Sequence, residues 1–156
     1  MEIIKATAGD IPALMELYRK LYAHLKSLGS PFELDETELH KLLETAVSSR
    51  LCCVAAAVDS RGKSIEGFIL LLINRIDRKL KRGETKHTGV VSDIFMNPDF
   101  RGKGAAELLL AYGENWLREN GVSLVECHVI TGNERSEKFF AKHGYVPRSR
   151  QFGKIL

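Results

Sequence analysis

The spacing of apolar residues along the chain predicts a series of helices and strands. Apolar side chains three or four positions apart indicate amphipathic helices, at residues 11–25, 36–47, 103–120 and 134–142. Short apolar runs between polar turns indicate strands, at residues 2–6, 51–58, 64–75, 88–96, 123–130 and 145–156. The predicted order of elements is therefore β-α-α-β-β-β-α-β-α-β.

Polar residues at the ends of these segments support their boundaries. Asp10, Asp35 and Asn133 stand where a side chain can cap the first backbone N–H groups of a helix. The stretch Asp59-Ser60-Arg61-Gly62-Lys63 is predicted to be a polar turn between two strands. No internal repeat, low-complexity tract or linker divides the chain, so we expect one domain over residues 1–156.

The order of elements favours a mixed α/β fold. Three successive strands in the first half indicate an antiparallel meander. The later strand, helix and strand indicate parallel pairing, because such a crossover connects parallel neighbours. We therefore expect a single mixed sheet with helices on both faces.

Composition narrows the classes of protein. A hydrophobic content of 44% and a net charge of +3 are typical of a globular domain, and this charge gives no argument for nucleic acid. No apolar run is long enough to span a membrane, and the N-terminus lacks the features of a signal peptide. Cys52, Cys53 and Cys127 form no metal-binding or redox motif. We therefore expect a cytoplasmic protein with reduced thiols and no metal, nucleic-acid or membrane partner.

The most informative segment joins the strand at 88–96 to the helix at 103–120. It reads Asn97-Pro98-Asp99-Phe100-Arg101-Gly102-Lys103-Gly104-Ala105-Ala106. The first N–H groups of a helix have no partner within it, and the helix dipole favours an anion there. Glycine lets a ligand approach the backbone, and Arg101 and Lys103 add positive charge. The segment therefore suits a phosphate group, although a plain tight turn is the alternative.

These motifs resemble the GNAT superfamily of acyl-CoA-dependent N-acetyltransferases. The family's phosphate-loop pattern is met by Arg101, Gly104 and Ala106, and its fourth strand by Ile94-Phe95-Met96-Asn97-Pro98. Its Asn-led helix ending in Gly and an aromatic residue is met by residues 133–145, so the resemblance covers essentially the whole chain. The spacing does not satisfy a Walker P-loop or a Rossmann fingerprint, because Gly104 follows Lys103 and Glu107 takes the third glycine position.

The resemblance implies a site for acetyl-CoA as co-substrate. The backbone N–H groups of Gly102, Lys103, Gly104, Ala105 and Ala106 would hold the pyrophosphate beside Arg101. The backbone of Ile94, Phe95 and Met96 would pair with the pantetheine arm, with Asn133 on its other side, and Phe140 is a further candidate for binding the cofactor. The implied reaction is direct attack of a small-molecule or peptide amine on the thioester. Many members of the family are dimers, so a homodimer is an expectation of the same kind.

Two positions depart from common family patterns, so the acid and base are unassigned. Ser92-Asp93 stands where related polyamine enzymes carry Glu-Asp, and Phe140 stands where many members carry a tyrosine acid. Asp93 is a candidate for binding a cationic amine or acting as a base through water. The alternative is a structural carboxylate paired with Lys or Arg. Histidine as a residue type can exchange a proton near neutral pH, so His87 and His128 are also candidates for the base. The alternative is that each is a structural histidine.

The acceptor and the overall role stay open. Glu33, Asp35, Glu36 and Glu38 favour a cationic acceptor, or they only complement the start of a helix. A catalytically weak module that binds acyl-CoA and regulates a partner is one alternative to the enzyme. A protein that binds nucleotides or nucleic acid through the basic residues between Lys79 and Arg101 is another.

Overall fold

The computed structural model describes residues 1–60 and 64–156, and it contains the predicted elements up to the last helix. The strands are β1 (Glu2–Lys5), β2 (Cys52–Val58), β3 (Ile65–Arg75), β4 (His87–Met96) and β5 (Val125–Cys127). The helices are α1 (Ile11–Ser27), α2 (Glu36–Ala46), α3 (Ala105–Glu119) and α4 (Glu134–Lys142), with short 3-10 turns at Ala8–Asp10 and Pro98–Phe100. The middle of the predicted turn at 59–63, Arg61-Gly62-Lys63, lies outside the described residues.

The five strands form one sheet in the order β1-β2-β3-β4-β5. The first four strands pair antiparallel with their neighbours in sequence, whereas β5 pairs parallel with β4. The predicted meander followed by a parallel crossover is therefore confirmed. No helix in the described part of the chain is long and apolar enough to cross a membrane.

Helices cover both faces of the sheet, as predicted. Successive side chains of a strand point to opposite faces, and β3 shows this in its buried centre. Phe68 and Leu70 pack with α1 and α2 on one face, while Ile69 and Leu71 pack with α3 and α4 on the other. All four of these side chains are at most 1% exposed, so β3 is the strand around which both halves of the core assemble.

A β-bulge at Ser92 changes which way β4 faces. Leu71 is opposite Val91 and Leu70 is opposite Asp93, which leaves Ser92 without a partner on β3. In a regular strand Val91 and Asp93 would lie on the same face. Here Val91 belongs to the core under α3, while Asp93 and Phe95 face α1. The bulge therefore turns a carboxylate toward the α1 side of the sheet.

Two capping predictions are confirmed and one is wrong. Asp35 accepts a hydrogen bond from the Glu38 N–H at 3.0 Å, and Asn133 accepts one from the Ser136 N–H at 3.3 Å. Asp10 makes no side-chain bond to the start of α1. Its carboxylate instead accepts from the backbone N–H and hydroxyl of Thr7, because a 3-10 turn precedes the helix.

The predicted last strand, Tyr145–Leu156, does not form. Tyr145 closes α4, since its N–H donates to the Phe140 carbonyl and its ring packs 5.0 Å from the Phe140 ring. Pro147 follows two residues later and lacks an N–H for a ladder. The rest of the segment is exposed, with Phe152 at 90%. The strand predicted at 123–130 is also shorter, because only Val125–Cys127 pairs with β4.

Candidate active site

A cleft opens between β4 and β5 where the two strands stop pairing. Only residues 89–91 of β4 pair with β5, and beyond them the strands separate. The helices α1 and α4 close the sides of the gap. Its lining consists of Leu21, Leu25, Val91, Ser92, Asp93, Ile94, Cys127, His128, Val129, Ile130, Asn133, Ser136 and Phe140. Asp93, Ile94, Asn133 and Phe140, which the sequence singles out, therefore lie together.

Backbone groups of β4 face this cleft along its open edge. The Asn97 N–H donates to the Glu66 carbonyl at 2.8 Å, which points it toward β3. The Met96 carbonyl points the other way, because it accepts from Arg101 Nε at 2.8 Å. Backbone polar groups alternate between the two sides of a strand, so those of Ile94 also face the gap. This edge can pair with an extended ligand as a further strand would.

The turn after β4 presents a run of unpaired backbone donors. Gly102 and Gly104 have φ values of +71° and +80°, a backbone region that residues other than glycine rarely adopt. The first helical bond of α3 is the one from the Leu108 N–H to the Gly104 carbonyl. Within residues 1–60 and 64–156, the N–H groups of residues 102–106 donate to no protein acceptor. Such a cradle at a helix N-terminus binds anions.

Two arginines, Arg101 and Arg135, lie beside this cradle, and the sequence pattern identified only Arg101. The Arg101 guanidinium lies 5.5 Å from the Phe95 ring centre. Partial burial lowers the pKa of Arg101, and the nearby positive charge of Arg135 lowers it further. In the described chain neither arginine forms an ion pair with a carboxylate. Two like charges without an internal counterion favour an anionic ligand. Arg135 is the second residue of α4, two positions after the capping Asn133, and this position in the sequence could have identified it.

Lys103 contributes its charge at the rim of the cradle. Its ammonium donates to the Asp99 carbonyl at 3.0 Å and lies 5.2 Å from the Phe100 ring centre. These contacts fold the side chain back over the turn at Pro98–Phe100. The lysine therefore stabilises the shape of the loop and leaves the backbone donors accessible.

Asp93 is held by hydroxyl groups and not by a cation. Its Oδ2 accepts hydrogen bonds from the Tyr18 hydroxyl at 3.1 Å and from the Ser92 hydroxyl at 2.9 Å. Burial raises the pKa of Asp93, and the two hydroxyls partly oppose this shift. Among the described residues no Lys, Arg or His lies within ion-pair distance of it. The alternative of a carboxylate paired with Lys or Arg is therefore wrong.

The acidic residues around the start of α2 are already engaged. Glu33 pairs with Lys26 at 2.8 Å, Glu36 with Arg19 at 2.7 Å, and Glu38 with Lys41 at 2.7 Å. Asp35 caps α2, as described above. Only Asp35 and the Glu38–Lys41 pair act on the start of α2 itself, whereas the other two pairs join α1 to α2 and to the connection between them. None of them lines the cleft.

The structure separates the two histidines and the two basic regions. His128 lines the cleft just after β5, whereas His87 begins β4 opposite Arg75. The ten residues of β4 span about 30 Å at ~3.3 Å per residue. His87 and the basic residues between Lys79 and Lys86 therefore lie at the far end of β4 from Arg101. A continuous basic surface from Lys79 to Arg101 does not form.

No group of three or more His, Cys, Asp or Glu side chains arranged to hold a metal ion occurs in the described parts of the chain. The three cysteines are free thiols. Burial raises the pKa of Cys127, which lines the cleft, to about 11, so this thiol is protonated at neutral pH.

Phe140 closes the α4 side of the cleft. It is 6% exposed and packs edge-on against Phe139, with the ring centres 5.4 Å apart. Its position in the cleft agrees with that implied by the sequence resemblance, but it offers no hydroxyl group. Ser136, one turn earlier on α4, is a polar side chain that lines the same cleft.

Comparison with solved structures identifies proteins that share the overall fold. The BH1408 protein of Bacillus halodurans, as a tetramutant, has 22% identity and a TM-score of 0.83, with each chain fully covered. The complex of AAC(6')-Iy with the bisubstrate analogue CoA-S-monomethyl-acetylneamine has 17% identity and a TM-score of 0.78, covering 99% of this chain and 97% of the other. The aminoglycoside 6'-N-acetyltransferase AAC(6')-IG of Acinetobacter haemolyticus has 16% identity and a TM-score of 0.76, covering 100% and 99%.

These identities establish a shared fold and leave the substrate open. None of the curated proteins compared with the chain matches its sequence. The sequence pattern of the acetyltransferase (GNAT) family, in contrast, matches residues 11–145, which include every element from α1 to α4. The chain therefore belongs to the GNAT acetyltransferase family.

Proposed function

We propose that this protein transfers an acetyl group from acetyl-CoA to a primary amine. One observation carries the proposal. A cradle of unpaired backbone donors at residues 102–106 stands at the end of a strand whose free edge runs into a cleft. A diphosphate joined to an extended, amide-bearing arm matches both features.

The described contacts suggest how coenzyme A is bound. The pyrophosphate is held by the N–H groups of residues 102–106, with Arg101 and Arg135 balancing its charge. The pantetheine arm lies along the open edge formed by Ile94, Phe95 and Met96. Asn133 and Phe140 border the arm from α4.

The two substrates approach from opposite faces of the sheet. Ile94 and Phe140 belong to the core on the α3 and α4 side, where the cationic loop begins. Asp93 faces α1, through its bond from Tyr18, and Leu21 and Leu25 lie on the same side of the cleft. A thioester entering from the first side and an amine entering from the second meet between the parted strands. This arrangement suits direct attack.

The amine must lose a proton before it can react. A lysine-like amine has a pKa of about 10.4, so its neutral form at pH 7 costs about 4.6 kcal/mol. In the proposal Asp93 binds the ammonium form, and the proton leaves through water or through His128 across the cleft. The neutral nitrogen then bonds to the thioester carbon while the carbon–sulfur bond breaks, and the nitrogen loses its second proton to water or to the departing thiolate. A thiolate leaves readily, because its conjugate acid has a pKa of about 8.5, so Phe140 need not supply a proton.

The experiment compares Gly104→Asp with Gly121→Asp. Both glycines have positive φ, +80° and +74°, and neither has an atom within 4 Å of an added Cβ, so the two variants carry similar backbone strain. Only the first places a carboxylate beside the pyrophosphate. We expect calorimetry to show that Gly104→Asp weakens coenzyme A binding by about 100-fold or more, while Gly121→Asp binds normally. Equal affinity in both variants would refute the site.

A catalytically weak module that binds acyl-CoA is the second candidate. It is favoured by Phe140, which has no hydroxyl to protonate the thiolate, and by Ser92, which cannot act as a base. Thiol release from acetyl-CoA, followed across polyamines, aminoglycosides, amino acids and peptides, separates the two. Turnover with any of these amines supports the enzyme, whereas tight coenzyme A binding without turnover supports the module.

A further inference from the structure

We infer that the acceptor is an amine that carries one positive charge on an apolar body, such as an alkylamine or arylalkylamine, and not a polycation. This inference rests on the proposed function and concerns the face of the cleft toward α1. It follows from two independent features of that face: the number of unbalanced negative charges and the apolar character of the wall.

The cleft contains a single carboxylate among the described residues that line it. Among the described residues Asp93 is the one carboxylate that lines the cleft, and hydroxyls hold it without neutralising it. The acidic side chains of α1, of its connection to α2 and of the start of α2 lie outside the lining: Glu16 and Glu36 share Arg19, Glu33 pairs with Lys26, and Asp35 caps α2. A site for an aminoglycoside or polyamine needs several free carboxylates to replace the water around several ammonium groups. This cleft offers a counterion for one.

The part of the wall that α1 supplies beside that single charge is apolar. Leu21 and Leu25 reach the cleft from consecutive turns of α1, and Ile130 reaches it from the segment after β5, whereas Val129 packs with the core on the α3 and α4 side. Leu21 is 8% exposed, so the leucines form a continuous surface with the core. An ammonium group on a polyamine would lose water against this wall without a partner. An alkyl or aryl group would instead bury apolar area against it.

An aromatic group adds to the same side. The centre of the Tyr22 ring lies 6.4 Å from the centre of the Tyr18 ring. Burial raises the pKa of Tyr22, and the negative charge of Asp93 raises it further. Tyr22 therefore lies close enough to the Asp93 carboxylate to interact with its charge. Aromatic faces attract both ammonium groups and apolar rings. Tyr22 is not among the residues that line the cleft, so it adds an aromatic group beside the site.

The test measures kcat/KM with saturating acetyl-CoA for three acceptors: 2-phenylethylamine, spermidine and kanamycin. We expect 2-phenylethylamine to be favoured by about tenfold or more, the size of effect that apolar contacts give in a binding pocket. Equal or better turnover of spermidine or kanamycin overturns the inference and leaves the proposed function intact. No transfer to any of the three, or to other amines, overturns the proposed function and the inference together.

A charge variant tests the physical reason. Leu25→Glu adds a second carboxylate to the wall and should raise the ratio of spermidine to 2-phenylethylamine turnover by about tenfold. Leu25→Gln removes the same apolar surface without charge and should lower 2-phenylethylamine turnover alone. Leu42→Glu is the control, because Leu42 is 46% exposed on α2 and does not line the cleft. An unchanged ratio in a folded Leu25→Glu protein contradicts the inference.

Discussion

The Tyr18 hydroxyl of α1 donates a 3.1 Å hydrogen bond to Oδ2 of Asp93, 75 residues later in the chain. Tyr18 is 2% exposed and its ring lies 4.4 Å from the Phe68 ring, so the donor is fixed by the core. The bulge at Ser92 fixes the acceptor from the other side. The carboxylate is therefore positioned by the fold itself, and it keeps its charge free for a ligand.

Replacing Asp93 by Asn should separate catalysis from coenzyme binding. The amide retains an oxygen for the two hydroxyl donors but cannot bind an ammonium group by charge. We expect kcat/KM for the amine to fall by about 100-fold, with the Kd for coenzyme A unchanged. Steady-state kinetics and calorimetry on the same preparation measure both. An Asn variant as active as the parent would make Asp93 a structural residue.

The same variant should be more stable than the parent, and more so at higher pH. Burial raises the pKa of Asp93 above its value in the unfolded chain. Between these two pKa values the folded state retains a proton that the unfolded state has lost, so stability falls as pH rises through that interval. Asn does not titrate. The gain in Tm of Asp93→Asn should therefore vanish below the ordinary carboxyl pKa of about 3.9 and be largest above the raised one.

Thermal melts of the two proteins across pH measure this difference. Other titrating groups are common to both proteins and cancel in the comparison. A gain in Tm that is constant with pH would show that ionising Asp93 costs no more free energy in the folded protein than in the unfolded chain. A gain in Tm that grows as the pH falls would show that folding lowers the pKa of Asp93 instead of raising it.

Tyr18→Phe should move the pH profile of the reaction. The hydrogen bond from Tyr18 favours the ionised form of Asp93 and so opposes the effect of burial on its pKa. Removing the hydroxyl raises the pKa of Asp93 further, and the acidic limb of kcat/KM should shift to higher pH. The variant should also lose about 1 kcal/mol of stability.

Tyr22→Phe provides the matched control for this prediction. Tyr22 lies in the same helix and near the same carboxylate but makes no hydrogen bond to Asp93. Its removal should leave the acidic limb in place. If both variants shifted the profile equally, the cause would be a general change in α1 and not the bond from Tyr18.

The sequence predicts the fold well wherever one periodicity extends along a whole element. The spacing of Leu14, Tyr18 and Leu21 identifies the buried face of α1, and the apolar run at 64–75 identifies β3 as a strand. The glycines of the phosphate loop also mark their turn, because positive φ values at Gly102 and Gly104 require that residue type. These features are local, so local sequence is enough.

What the sequence does not predict depends on contacts between distant segments. The bulge at Ser92 is defined by the pairing of β4 with β3, and nothing in Ser92 itself marks it. The partners of Asp93 come from a distant helix and from the bulge. The last predicted strand fails for a related reason: Val146 and Phe152 supply suitable residues, but no neighbouring strand pairs with them.

His128→Gln tests whether an imidazole takes the proton from the amine. His128 lines the cleft and is exposed, so it can exchange a proton with water. We expect kcat to fall by about 100-fold with coenzyme A affinity unchanged. His87→Gln, at the far end of β4, should have no effect. Normal turnover in His128→Gln would show that water alone accepts the proton.

Gly67→Ala should weaken both the fold and the cofactor edge. A Cβ at Gly67 would lie 2.7 Å from the Phe95 carbonyl oxygen and would also collide with the Met96 side chain. Because a backbone atom is involved, β3 and β4 must move apart. We expect a loss of about 2 kcal/mol in the free energy of unfolding, measured in urea, and weaker coenzyme A binding, since the displaced segment forms the open edge.

Gly9→Ala controls for the change of residue type. Its added Cβ would come no closer than 3.7 Å to another atom, the Thr7 hydroxyl oxygen. That variant should match the parent in both stability and binding. If Gly67→Ala lost stability but kept its coenzyme A affinity, the end of β4 would not form part of the binding edge. A Gly67→Ala protein that equals the parent in both properties would mean that the two strands lie farther apart at this point.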